Sequence, residues 1–398
     1  MFFGAPMYDQ TAWLAPLLLS SLGASAQLIG VVVAMYGVIG LGQAFFGRIS
    51  DRIETPIGKR RPFLLLGDLL ALVALFTLAV VMRLNLASAL GMTIAALIVL
   101  YLGVQLVQPA LYALSLPDLF PSEQRGRVMG TLQMAAVLGD IVMGLLIATT
   151  LDVRGYGFAF LALAIFALPS LLTGLFAWEP PRWEEVDLTS SEPAVPQFSL
   201  AELKRAFTDV RGYPAVVRFL GFGAVFYFGY NLMKNLQSLY MEKALGFTPG
   251  EVGQLVVIIV VMEVLFALVW GWAADRYGKK PTLMLAMGAL SLAYLLLALV
   301  RTRWQVYAIL PLAAAADVSI YILPIALLSD LVPKERSANF IGLYLLTGAA
   351  MSVVAPVLAG QVFDRVGMRW LPALAALVLL GVFPILRGLR VPAEPAQR

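Results

Sequence analysis

The chain of 398 residues contains no cysteine and no histidine. Without cysteine there is no disulfide framework, no thiolate nucleophile and no cysteine metal site. The missing histidine removes the commonest metal ligand and the one side chain that ordinarily titrates near neutrality, so any proton carried by side chains falls to carboxylates. Charge is scarce as well: Asp, Glu, Lys and Arg make up 13% of the residues, about half the roughly 25% of soluble domains. Apolar residues fill the space, at 61%, and the chain reads as an all-α, polytopic membrane protein. Its net charge of +4 is assigned to loops, where basic residues mark the cytoplasmic side, and not to a nucleic-acid surface. No nucleophile, base and metal constellation stands out, so an enzyme is not expected, nor a metal or cofactor. The start, M-F-F-G-A-P-M-Y-D-Q, lacks the basic region of a cleavable signal.

Runs near the length needed to cross a bilayer recur about twelve times. The first six are Phe2 to Leu22, Gln27 to Ile49, Pro62 to Met82, Leu86 to Leu116, Gly126 to Leu151 and Tyr156 to Trp178. The second six are Pro214 to Tyr240, Gly250 to Trp272, Pro281 to Val300, Trp304 to Leu331, Ser337 to Phe363 and Trp370 to Leu386. The expected organisation is an N-terminal six-helix bundle (1–178), a cytoplasmic linker (179–213) and a C-terminal six-helix bundle (214–398). Within the linker, S-L-A-E-L-K-R-A-F places Ser199 and Glu202 at capping-box spacing, which predicts a short interfacial helix. Trp178, Tyr240, Trp272 and Trp304, near span ends, read as interfacial anchors. With an even number of spans, both termini share a side. Most of the 28 Lys and Arg fall on that side, so both termini are expected in the cytoplasm.

The halves repeat each other. L-G-A-S-A-Q-L-I-G, ending at Gly30, recurs as L-G-F-T-P-G-E-V-G, ending at Gly253. The charged joint after the second run, G-R-I-S-D-R-I-E-T-P-I-G-K-R-R-P (Gly47 to Pro62), recurs as G-W-A-A-D-R-Y-G-K-K-P (Gly271 to Pro281). P-D-L-F-P-S-E-Q-R recurs as S-D-L-V-P-K-E-R. Three motifs in one order in both halves mark an internal duplication.

The joint, G-x-x-x-D-R followed by G-K-R-R-P-F-L-L-L-G, resembles the loop between the second and third helices of major facilitator superfamily transporters. It is closest to the sucrose and glycoside-pentoside-hexuronide cation symporter branches. The resemblance implies the major facilitator fold, twelve transmembrane helices in two pseudo-symmetric six-helix bundles, with substrate near the midplane between halves. It implies rocker-switch alternating access, with a cytoplasmic gate at Gly47, Asp51, Arg52, Lys59, Arg60, Arg61, Asp118, Glu123 and Arg125. In the second half the gate residues are Gly271, Asp275, Arg276, Asp330, Glu335 and Arg336. The chain departs from sugar symporters in its fourth span, which offers Gln105 and Tyr112 in place of a carboxylate and an arginine. It also lacks the G-P antiporter motif of drug exporters in the fifth.

A charge at mid-bilayer costs at least about 2.5 to 3.5 kcal/mol, so each needs a partner or a watery cavity. Asp9, Asp140, Glu263 and Asp317 are the candidate proton-coupling carboxylates. Lys234 shares its depth with Asp9, which makes these two a candidate ion pair, and Tyr227, Asn231, Lys234 and Ser238 form one polar stripe. Asp68, near a span end, reads as structural and within reach of water. Gln105 and Asp317 occupy equivalent places in the repeat. Tyr8, Gln10, Tyr36, Gln105, Gln108, Tyr227, Asn231, Lys234, Asn235 and Tyr321 are the candidate substrate contacts, a mix of amides and aromatic faces suited to a polyhydroxyl ligand. The expected function is proton-coupled (or Na+-coupled) symport of a sugar, glycoside or similar small polar solute by a monomer in a prokaryotic inner membrane. Efflux of amphipathic drugs or metabolites, and a non-transporting receptor or scaffold, are the alternatives.

Overall fold

The computed structural model describes residues 3–43, 46, 49–50, 55–84, 88–113, 122–176, 210–332 and 334–389. Those residues are almost entirely helical. The helices of the first half are α1 (Ala5–Ser21), α2 (Ala26–Gly40), α3 (Arg61–Leu84), α4 (Ala89–Ala113), α5 (Ser122–Ala167) and α6 (Ser170–Phe176). They are followed by α7 (Pro214–Lys234), α8 (Gln237–Leu245), α9 (Pro249–Tyr277), α10 (Lys279–Leu299), α11 (Arg303–Leu331), α12 (Lys334–Arg365), α13 (Trp370–Leu380) and α14 (Val382–Arg387). Nine described helical stretches are long and apolar enough to cross a membrane, the longest being the 47 residues Gly130–Phe176. At about 1.5 Å per residue that stretch is twice the thickness of a bilayer core, and it is two crossings: the backbone leaves the helix at Gly155, φ 74° and ψ 176°. With this division, and with the shorter α1 and α2, the described chain has twelve crossings.

The chain falls into two compact units, one comprising Met1–Ala194 with Phe247–Val257 and the other Val195–Gly246 with Ile258–Arg398. In the first unit, α3 packs along α4 and against α5, and α1 lies on α5. The α3 and α4 backbones meet at two glycines: a Cβ added to Gly103 would stand 2.6 Å from the Gly67 carbonyl, and one added to Gly67 would stand 2.6 Å from the Gly103 carbonyl. Glycine pairs of this kind let membrane helices approach without a hydrophobic drive between them. The first turn of α9 belongs to this unit, and Asp152 caps it, accepting from the Gly250 N–H at 2.8 Å and the Thr248 hydroxyl at 2.5 Å.

In the second unit, α7 packs against α12 and α13, and α10 against α11 and α13. Phe219, Phe222, Phe226 and Tyr230 run down one face of α7 as an aromatic ladder, with Phe219 also against Tyr344. Only 22% of the apolar stretch of α9 is buried, so most of that helix presents Val264, Leu265, Leu268 and Val269 outward.

The repeated joints carry out the same task in both units. Gly58 and Gly278 take φ 115° and 87°, a backbone region that favours glycine. The cation just before each proline then caps the last helix of its own unit. Arg61 donates to the carbonyls of Gly174 (3.0 Å) and Leu175 at the end of α6. Lys280 donates to those of Arg387 (3.2 Å) and Leu389 (2.6 Å) at the end of α14, and Arg218 to that of Gly388 at 2.7 Å. Cations at helix C-termini satisfy carbonyls that have no partner inside the helix.

Three sequence expectations are corrected here. Tyr240 is not an interfacial anchor: it is 1% exposed and donates to the Leu297 carbonyl at 3.1 Å. Asp68 is 3% exposed and sits beside Ser170, away from water. The seventh span is not one helix, because α7 ends at Lys234 and α8 starts at Gln237. Gly47, Asp51, Arg52, Asp118, Trp178 and the 199–202 helix lie outside the described residues, as do the side chains of Tyr112, Glu123, Arg125, Glu335 and Arg336.

Candidate substrate and proton site

The second unit gathers three ionisable side chains from three helices. Asp317 sits in α11 between Pro311 and Pro324, and Lys234 is the last residue of α7. Their Nζ and Oδ2 atoms are 2.5 Å apart. Glu263 comes from α9, where it shares a face with Trp270, seven residues on. Trp270 donates its indole N–H to the Ala315 carbonyl at 2.5 Å, which seats α9 on α11 and brings the Glu263 carboxyl beside both Asp317 and Lys234. Tyr230, one helical turn before Lys234, Tyr294 from α10 and Tyr321, one turn after Asp317, complete the surroundings.

The pair is one-sided. The Lys234 side chain is 40% exposed and that of Asp317 11%, so the ammonium faces open space and the carboxylate lies behind it. Tyr321 is exposed beside them and Asn231 and Asn235 are half-buried. Asn231 is tied by its amide N–H to the Tyr227 carbonyl at 2.8 Å, and Asn235 to the Asn231 Oδ1 at 2.9 Å. The Tyr227 ring lies tilted against that of Tyr344, centroids 5.4 Å apart. The Tyr230 hydroxyl is buried next to Asp317 without a hydrogen bond of ordinary geometry among the described residues. A helix end at Lys234 suits a cation, because the last carbonyls of α7 carry partial negative charge. Discontinuous helices of this kind are where membrane transporters place ligand and ion sites.

Depth alone made Asp9 the candidate partner of Lys234; the partner in the structure is Asp317. Asp9 belongs with Asp140 in the first unit, the two carboxyls standing side by side. Gln10 donates to the Asp140 backbone carbonyl at 3.1 Å and accepts from the Trp13 indole N–H at 3.0 Å. One Asp140 oxygen is buried without a hydrogen bond among the described residues. Tyr8 stacks on Tyr36 at 4.1 Å, and Tyr101 stands edge-on to Tyr36. Where the second unit has the ion pair, the first has amides: Gln43 donates to Gln105 and to Gln108 (2.6 Å), and Gln105 to the Tyr36 carbonyl (3.2 Å).

Several gate candidates make contacts inside their own units. Arg60 donates to Ser50 at 3.1 Å and Arg61 caps α6. Lys279 pairs with Asp330 at 2.6 Å. Arg276 lies over the Trp272 ring, 5.7 Å from its centroid. Lys59 is engaged as well, and Gly271 and Asp275 lie near the end of α9. Sequence reasoning missed Tyr230, Tyr294, Gln43 and Tyr101. Tyr230 was open to it, being four residues before Lys234 and hence on the same face; Tyr294, one tyrosine in an apolar helix, carried no such signal.

Solved structures share this nearly all-helical fold. A point mutant of the nucleoside transporter NupG superposes with a TM-score of 0.78 at 13% identity, covering 97% of each chain. A D-xylose-proton symporter superposes with a TM-score of 0.67 at 16% identity, covering 98% of this chain and 96% of the other. Residues 3–337 match the family described as MFS/sugar transport protein. The chain belongs to that family, and its long apolar helices make it an integral membrane protein. Among curated relatives, the cis,cis-muconate transport protein of Acinetobacter baylyi is 27% identical over 44% of this chain, which spans 42% of the relative's length. The class C tetracycline resistance protein of Escherichia coli is 23% identical over 86% of this chain and 81% of its own. The gentisate transporter of Corynebacterium glutamicum is 32% identical over 30% of this chain and 27% of its own.

Proposed function

We propose that the protein moves a small polar solute into the cell by alternating access, driven by protons flowing with it, as a monomer in a prokaryotic inner membrane with both termini in the cytoplasm. The observation that carries this reading is the Lys234, Asp317 and Glu263 cluster on membrane-spanning helices. Each such charge costs a few kcal/mol in a bilayer and is retained where a pathway needs it. Two carboxyls sharing one ammonium form a site that changes charge by taking up a proton, and the side-by-side Asp9 and Asp140 carboxyls offer a second. The amides and tyrosines near both sites supply donors, acceptors and ring faces for hydroxylated ligands.

Purified protein in liposomes with an imposed pH gradient tests the proposal. Accumulation of a solute from a sugar and sugar-acid panel, collapsed by a protonophore, is the expected result. Accumulation driven by sodium at equal pH would replace the coupling ion, and the absence of flux for every solute would reject transport. Export is the second reading, because the tetracycline resistance protein aligns over most of the chain. Gradient-driven expulsion of amphipathic dyes, with no uptake of polar solutes, would favour it.

A further inference from the structure

We infer that the transported solute is a hydroxylated carboxylate, and that its acid group takes the place of Asp317 on Lys234 once the acidic pair has been protonated. The inference rests on the transport reading above and adds the chemical class of the solute.

The geometry supplies the first step. A ligand approaching the cluster meets the ammonium, 40% exposed, before the carboxylate, 11% exposed. What Lys234 already holds is a carboxylate at 2.5 Å, so another carboxylate can form the same contact on the open side. Charge supplies the second. Among the described residues, the titratable groups facing Lys234 are Tyr230 on its own helix, Glu263 on α9, Tyr294 on α10, and Asp317 and Tyr321 on α11. Among these, Lys234 is the single cation and Glu263 and Asp317 the two acids. With both acids ionised the cluster is negative and repels an anion. One proton makes it neutral, and a second leaves a partly exposed ammonium with no counter-ion in the cluster, which favours an arriving anion. Proton and anion binding therefore help each other, and by linkage each raises the affinity for the other by the same factor.

Two further features fit an incoming acid. The buried Tyr230 hydroxyl, 7% exposed, lies next to Asp317 and has no hydrogen bond of ordinary geometry among the described residues. It is a donor available to whichever carboxyl group occupies the Lys234 side. The nine-residue α8 begins three residues beyond Lys234 with no side-chain cap on its N-terminus, which leaves N–H groups with a preference for negative charge close by. The hydroxylated part of the ligand follows from the neighbours: Asn231 and Asn235 flank Lys234 along the chain, and Tyr321 lies beside it.

Matched acid and neutral pairs test this on the full-length protein: glucuronate against glucose, and 4-hydroxybenzoate against 4-hydroxybenzyl alcohol. Binding is read by thermal stabilisation and by proton uptake in weakly buffered detergent solution. The acid of at least one pair should bind at least about tenfold more tightly than its neutral partner, more tightly near pH 5.5 than near pH 7.5, and should take up a proton as it binds. Lys234→Gln should abolish that preference and Lys234→Arg should restore part of it. Asp317→Asn should raise affinity for the acid and flatten its pH dependence, and Glu263→Gln should flatten it in part, which serves if Asp317→Asn folds poorly. Equal binding of acid and neutral partners, tighter binding of a neutral one, no acid binding across the panel near pH 5.5, or acid binding unchanged in Lys234→Gln would overturn the inference. Proton-driven uptake of glucose that survives Lys234→Gln would sink this inference and leave proton-coupled transport standing. Acid binding without gradient-driven flux would do the reverse.

Discussion

Replacing Lys234 by Met should destabilise the protein more than replacing Asp317 by Asn, and the two changes together should cost less than their sum. At 2.5 Å and an effective dielectric constant near 20, Coulomb's law gives roughly 6 to 7 kcal/mol for the pair, a ceiling that ignores the cost of removing both ions from water. Breaking a fully buried pair by deleting one partner costs about 3 to 5 kcal/mol, and a surface pair contributes about 0 to 1. With side chains 40% and 11% exposed, this pair lies between, which puts the coupling near 2 kcal/mol. The asymmetry follows from what each deletion leaves. Lys234→Met strands Asp317 in a poorly hydrated place with Glu263 beside it, whereas Asp317→Asn leaves an ammonium that reaches water and still has Glu263. For a unit of this size about 2 kcal/mol corresponds to roughly 4 to 8 °C in melting temperature. The assay is a thermal melt of wild type, both single variants and the double variant in one detergent. Additivity within about 0.5 kcal/mol would refute the idea that the two charges stabilise each other.

Other outcomes follow from contacts elsewhere. Asp9→Asn with Asp140→Asn should abolish accumulation driven by a pH gradient and spare solute exchange at equal pH; undiminished accumulation in liposomes would remove that pair from the proton path. Gly103→Ala should destabilise by about 1 to 3 kcal/mol through overpacking against the Gly67 carbonyl. Gly91→Ala in the same helix, where an added Cβ meets nothing within 4 Å, should be neutral or slightly stabilising, and similar melts for both would contradict the close approach. Arg61→Met should cost about 1 kcal/mol and speed amide exchange at the end of α6. Arg61→Lys should recover only part of this, since one ammonium does not reproduce a two-pronged fork; full recovery would show that charge alone matters there.

How far the sequence reveals the molecule varies from place to place. The membrane crossings were legible because a bilayer demands long apolar helices and tolerates little else. The duplicated motifs were legible because glycine, proline and cations cannot be exchanged freely in a tight joint. The break after Lys234 was not: L-M-K-N-L-Q contains neither glycine nor proline to mark it. The partner of Lys234 was hidden for a related reason. Counting residues along a span gives depth, but which of several acids at similar depth a side chain meets depends on helix rotation and on neighbours such as Trp270, whose bond to Ala315 brings Glu263 to the pair. The proton candidates were recognisable as charges out of place, while the tyrosines that surround them look like ordinary core residues.

The twin caps made by Arg61 and Lys280 have a further consequence. Each fastens the start of the third crossing of its half to the end of that half's final helix, so the four crossings from the joint onward are closed into a ring. Such a ring resists splaying of the third and sixth crossings inside each unit.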